Sequence, residues 1–126
     1  MTSRIVTIAI DASDAEVVAA FWCDVLGWRV VERDGDLVSI GAEDASWPTI
    51  DVAAVPEGKV VKNRLHLDLR ADGTTTRAEL DRLLALGARR VDVGQGTDVP
   101  WVVLADPEGN EFCLLPRTVQ DVTDDD

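Results

Sequence analysis

Lys62-Asn63-Arg64-Leu65-His66-Leu67-Asp68-Leu69-Arg70 is the stretch on which the reading of this chain turns. Successive side chains of an extended strand point to opposite faces, so Leu65, Leu67 and Leu69 share one face and Arg64, His66, Asp68 and Arg70 share the other. One apolar face marks a half-buried strand. The opposite face carries four ionisable groups, and His66 is the only histidine of the chain. Such a face is either solvated or the lining of a cavity. No other stretch concentrates as much potential chemistry.

Working outward, residues 4–11 alternate in the same way, with Val6, Ile8 and Ile10 opposite Ile5, Thr7 and Ala9, which predicts a first strand. Ser13-Asp14-Ala15-Glu16 has the form of a capping box, and Val17, Val18, Phe21, Trp22, Val25 and Leu26 follow at helical spacing up to Gly27. Residues 28–32 and 37–40 are β-rich runs joined by Arg33-Asp34-Gly35-Asp36, a hairpin signal, and residues 49–53 predict a fourth strand. After the His66 strand the plan recurs. Thr76 and Glu79 suggest a cap before Leu80, Leu83, Leu84 and Leu86, Gly87 ends the helix, and residues 89–93, 101–105 and 111–115 are strand candidates. Asp106-Pro107-Glu108-Gly109-Asn110 reads as a tight turn before the last of them. Gly94-Gln95-Gly96 is too short for a nucleotide loop and reads as a mobile connection.

Leu26-Gly27-Trp28-Arg29-Val30 matches Leu86-Gly87-Ala88-Arg89-Arg90-Val91 at an offset of 60 residues (87 − 27). Each half therefore reads strand, helix, three strands. Two such units suit a pseudo-symmetric pair, module one at residues 4–55 and module two at 62–117, followed by an acidic, frayed tail at 118–126. Matching the Val6-Ile8-Ile10 row to Leu65-Leu67-Leu69, with an adjustment of one residue, sets Thr7 against His66, and the offset of 60 sets Asp51 against Glu111.

At 126 residues one domain is expected. The net charge of −12 argues against nucleic acid and anionic membrane as partners, since phosphate binding needs clustered Lys and Arg. No apolar run is long enough to cross a bilayer, and Cys23 and Cys113 lie in apolar contexts without metal-type spacing, which favours buried free thiols over a disulfide and suits a reducing cytoplasm. Phosphate-loop and serine-elbow motifs are both missing.

The stretches Asp14 to Gly27, Lys62 to Leu69, Leu86-Gly87-Ala88 and Asp106 to Phe112, in this order over a doubled plan, resemble the vicinal oxygen chelate superfamily, in particular its glyoxalase-like and bleomycin-resistance-like members. The resemblance implies an α+β fold of two βαβββ modules forming an open, cupped mixed sheet, often in a homodimer. Inside the cup it implies a small-molecule ligand or a divalent metal (Zn, Ni, Mn or Fe), held by His, Glu or Gln from the first and last strand of both modules. Carried over, His66 and Glu111 match in module two, Thr7 does not match in module one, and Asp51 is the only plausible ligand of the fourth strand. Glu111 is also the candidate catalytic group.

Two functions follow as expectations. One is metal-assisted lyase, isomerase or dioxygenase chemistry on a small oxygenated molecule at His66, Asp51 and Glu111. The other is metal-free binding or sequestration, in which His66 only hydrogen-bonds Glu111 or Asp68. Neighbouring residues of the Arg64, His66, Asp68 and Arg70 face lie roughly 6.5 Å apart along the strand, so the arginines either bind a substrate carboxylate or pair with Asp68. Of the four tryptophans, Trp22 and Trp28 are core candidates, while Trp47 and Trp101 either stack on a ligand or pack. Thr7 completes the set of candidate substrate contacts.

Overall fold

A computed structural model describes residues 1–92 and 100–123, so Gly94-Gln95-Gly96 lies outside the described residues. The chain divides into two compact units, Met1–Lys59 and Val60–Asp126, referred to below as module one and module two. Module one runs β1 (Thr7–Ala12), α1 (Ala15–Leu26), β2 (Arg29–Asp34), β3 (Leu37–Gly41) and β4 (Thr49–Ala54). Its sheet has the order β1-β4-β3-β2, with β1 parallel to β4 and the other pairs antiparallel. Module two repeats this with β5 (Leu67–Leu69), α2 (Thr76–Leu86), β6 (Arg89–Arg90), β7 (Val102–Ala105) and β8 (Glu111–Leu114), in the order β5-β8-β7-β6. Both sheets are open and mixed, as the α+β reading of two βαβββ modules requires.

Local chemistry explains the element ends. Asp14, not Ser13, caps α1, accepting the Val17 amide at 3.2 Å, because its backbone is still extended there. Thr75, one residue before the expected Thr76, caps α2 by accepting from Ala78. Gly27 closes α1 in the left-handed region at φ 67°, where a side chain would be strained. In module one, Val18, Ala19, Phe21, Trp22 and Val25 of α1 are buried where the helix meets β3 and β4, whose own buried residues alternate as Val38, Ile40, Ile50 and Val52. The Phe21 and Trp22 rings meet edge to face at 5.2 Å. The module-two core holds Leu83, Leu104, Phe112 and Leu114, each no more than 1% exposed.

Two expectations need correction. The strand around His66 is shorter than the alternation suggests: only Leu67–Leu69 pair with β8, and Leu65 is 90% exposed. Upstream the ladder ends because the Asn63 amide donates to a side chain, Glu111 Oε2 at 3.2 Å, instead of a strand carbonyl. The acidic tail does not fray immediately. Its first part forms α3 (Val119–Thr123), whose Gln120 accepts the Gly73 amide at 2.8 Å and donates to Asp72 at 2.7 Å, while the Val119 amide donates to the Ala71 carbonyl. Among the described residues no helix is long and apolar enough to cross a membrane.

Candidate functional site

The module-two sheet has two chemically distinct sides. Leu104, Phe112 and Leu114 alternate toward the core, so Val103, Glu111 and Cys113 must point the other way. Cys113 is flanked by Asp68 on parallel β5 and by Val103 on antiparallel β7. Together with Lys62, His66, Trp101 and Leu115, these four residues line a cavity of about 340 Å³. The alternating face of the opening stretch thus lines a cavity through His66 and Asp68. Trp101 and Leu115 add apolar wall, while Lys62, His66, Asp68 and Glu111 bring charge and hydrogen-bonding capacity.

His66 lies one residue before the first paired position of β5, and Glu111 one residue before its partner Phe112, so the two stand at the same level of the parallel pair. Glu111 is aimed by the turn that precedes it. Buried Asp106 accepts the amides of Glu108 and Asn110 through Oδ1, both at 2.9 Å, and the Asn110 side chain through Oδ2, so the β7–β8 connection is held from inside. Gly109 supplies the positive φ of 90° that the turn demands.

His66 Nε2 lies 3.2 Å from Asp68 Oδ1. Asp68 therefore stands beside His66, while Arg70 donates to the Arg117 carbonyl at 2.9 Å. Arg64 is exposed and is not among the cavity-lining residues. Burial first, then the Asp68 carboxylate, pushes the Cys113 thiol above its ordinary pKa, and Lys62 opposes them. Cys113 and Cys23 are both free thiols.

Module one differs at the corresponding level. Thr7 faces Thr49 across the parallel pair β1–β4, and their hydroxyls share a hydrogen bond of 3.2 Å. If Ile8 and Ile50 correspond to Leu67 and Phe112, the positions of His66 and Glu111 are taken by Thr7 and Thr49. The constant offset of 60 points instead to Asp51, two residues further on, beside Ala9, where it accepts the Ser39 hydroxyl at 2.6 Å. The chain lengths between strands differ in the two halves, so a constant offset does not carry the pairing register across. Trp47 is 56% exposed and lies under the Arg4 guanidinium, 4.8 Å from its ring centre.

Sequence reasoning missed Cys113 and Lys62 as cavity residues. A signal for Cys113 was present, because it stands two positions after Glu111 in a strand and so shares its face.

The family model described as "Glyoxalase-like domain" matches residues 7–115. No curated protein matches the chain. Among solved structures, a glyoxalase/bleomycin resistance/dioxygenase family enzyme from Burkholderia phytofirmans is 20% identical, with 89% of this chain and 97% of that one covered and a TM-score of 0.65. A glyoxalase I from Leishmania major is 14% identical over 98% and 94% of the two chains at 0.66. A mutant fosfomycin resistance protein from Listeria monocytogenes, complexed with Mn(II) and a dihydroxypropylphosphonic acid, is 12% identical over 96% and 94% at 0.67. At these identities the likeness bears on fold alone.

Proposed function

We propose, from the premise that this chain belongs to the glyoxalase-like domain family, that the module-two cavity binds a small oxygenated organic molecule. The observation that carries this reading is the division of the cavity wall: Trp101, Val103 and Leu115 offer apolar surface, and Lys62 and His66 offer donors to ligand oxygens. Lys62 supplies a positive charge for an acidic ligand, and Trp101 a face on which a carbon skeleton rests. Glu111 is the candidate proton acceptor, since its carboxylate is held in the cavity by the Asn63 amide.

Titration of the tryptophan fluorescence with a panel of hydroxy acids, catechols and phosphonates tests the reading. A saturable change that is lost in Trp101→Phe and weakened in His66→Ala is expected. Silence across the panel rejects it.

A second reading is metal-assisted lyase, isomerase or dioxygenase chemistry, supported by the Mn(II) bound in the Listeria neighbour and by His66 and Glu111 standing level in one cavity. The donors expected for it are His66, Glu111 and Asp51. The fit is incomplete: Thr7 and Thr49 offer only neutral hydroxyls engaged with each other, and Asp51 is engaged by Ser39. No reaction step is assigned through a metal there. Homodimer formation and a cytoplasmic location belong to the same proposal, the first checked by sedimentation of the full chain.

A further inference from the structure

Three donors of different chemical type converge in module two without help from any other part of the chain. His66, Asp68 and Cys113 each place one ligand-type atom within 4.8 Å of the other two. Backbone pairing creates the convergence. Asp68 and Cys113 are direct partners across β5 and β8, and His66 stands two residues before Asp68 on the same face, its Nε2 3.2 Å from Asp68 Oδ1.

From this geometry we propose that His66, Asp68 and Cys113 form a binding site for a thiophilic divalent cation, Zn²⁺ in the first instance, with an open fourth position toward the cavity. Atoms no more than 4.8 Å apart leave a common centre within about 2.8 Å of all three, and ligand bonds to zinc run about 2.0–2.3 Å, so movements of roughly 0.5–0.8 Å complete the site. The side chains that must move are the more exposed ones: those of His66 and Asp68 are 40% and 48% exposed, whereas Cys113 is anchored in β8. A sulfur, a nitrogen and an oxygen donor suit zinc and cobalt better than magnesium, calcium or manganese. Binding releases the Cys113 thiol proton to solvent as the S–metal bond forms. Around the site the charges of Asp68 and Glu111 favour a cation and that of Lys62 opposes it.

This donor set differs from the His66, Glu111 and Asp51 set. It needs no residue of module one and includes a thiolate. It deepens the ligand-site reading, and rests on it only for what occupies the open position.

Titration of the full metal-free chain with Co²⁺ decides the matter, because thiolate ligation produces a near-ultraviolet charge-transfer band that nitrogen and oxygen donors do not. One equivalent of Co²⁺ is expected to generate the band, Zn²⁺ to bleach it, and Cys113→Ser to abolish it while Cys23→Ser and Glu111→Gln retain it. His66→Ala, at an exposed position tolerant of folding, is expected to lose stoichiometric binding. Absence of the band in the native chain, its survival in Cys113→Ser, or its full retention in His66→Ala overturns the proposal. Because the fluorescence titration with organic ligands is run on metal-free protein, a cobalt band without ligand response, or the reverse, shows which of the two readings has failed.

Discussion

Asp106 carries more of the site than its distance from the chemistry suggests. Fully buried, it accepts three hydrogen bonds within its own turn, and the residue that follows the turn is Glu111. Replacing it with Ala removes the acceptor of the Glu108 and Asn110 amides, and chemical denaturation is expected to show a loss of about 2–4 kcal/mol. Asp106→Asn keeps one side-chain oxygen and is expected to cost less. The sequence marked this turn by its Pro and Gly but not the burial of its aspartate, because turn signals are local whereas burial is decided by the packing around the turn. His66 was legible as a lone histidine on an alternating face. Its neighbour was not, since Asp68 and Glu111 were both candidates and only the side-chain positions put Asp68 Oδ1 3.2 Å from its Nε2.

At the scale of elements, α1 and α2 were readable from periodicity and from the glycines that end them, and their caps slipped by a single residue. Asp14→Ala is expected to destabilise by about 1 kcal/mol in thermal or chemical denaturation, and Ser13→Ala by less, which checks the assignment of the cap. The strands of module two were harder. Alternation continues from residue 62, but alternation records which face a side chain takes and not whether a partner strand is present; β5 has its partner only from Leu67. The helix at 119–123 was not legible because acidic composition suggests only solvation, whereas Gln120 and the Val119 amide find partners at Asp72, Gly73 and Ala71. Truncation after Thr118 removes these bonds, and a loss of about 1–2 kcal/mol in urea denaturation is the expected result. Hydrogen bonds from the Thr118 amide and hydroxyl hold the Asp121 carboxyl below its usual pKa, so what this carboxylate contributes to the start of α3 is present above the ordinary carboxylate range and is lost as pH falls through the depressed value. Amide exchange at Gly73 as a function of pH follows that loss.

For the whole chain, the doubled plan was visible in the sequence because the helix-ending glycines Gly27 and Gly87 fix equivalent points in the two halves. Register within the halves was not, since loops of unequal length intervene. Burial, with Asp24 as the second cause, raises the Cys23 thiol above its reference pKa of 9.0. The folded chain therefore binds that proton more tightly than the unfolded chain does. The associated stability is complete below the unfolded thiol range and falls away as pH climbs through the folded value. Denaturation midpoints measured from neutral to alkaline pH are expected to decline in the native chain and to decline less in Cys23→Ser. The parallel pairs β1–β4 and β5–β8 have a further consequence for how the molecule is made. Each module's opening strand has its partner in that module's closing strand, Thr7 waiting for Thr49 and Leu67 for Phe112. On the ribosome β1 has no sheet to join until β4 has emerged, although the β2–β3 hairpin is already available to receive β4. Synthesis thus makes every strand of the first sheet available before β5, next to His66, can meet its partner β8, so the sheet that lines the cavity completes its pairing after that of module one.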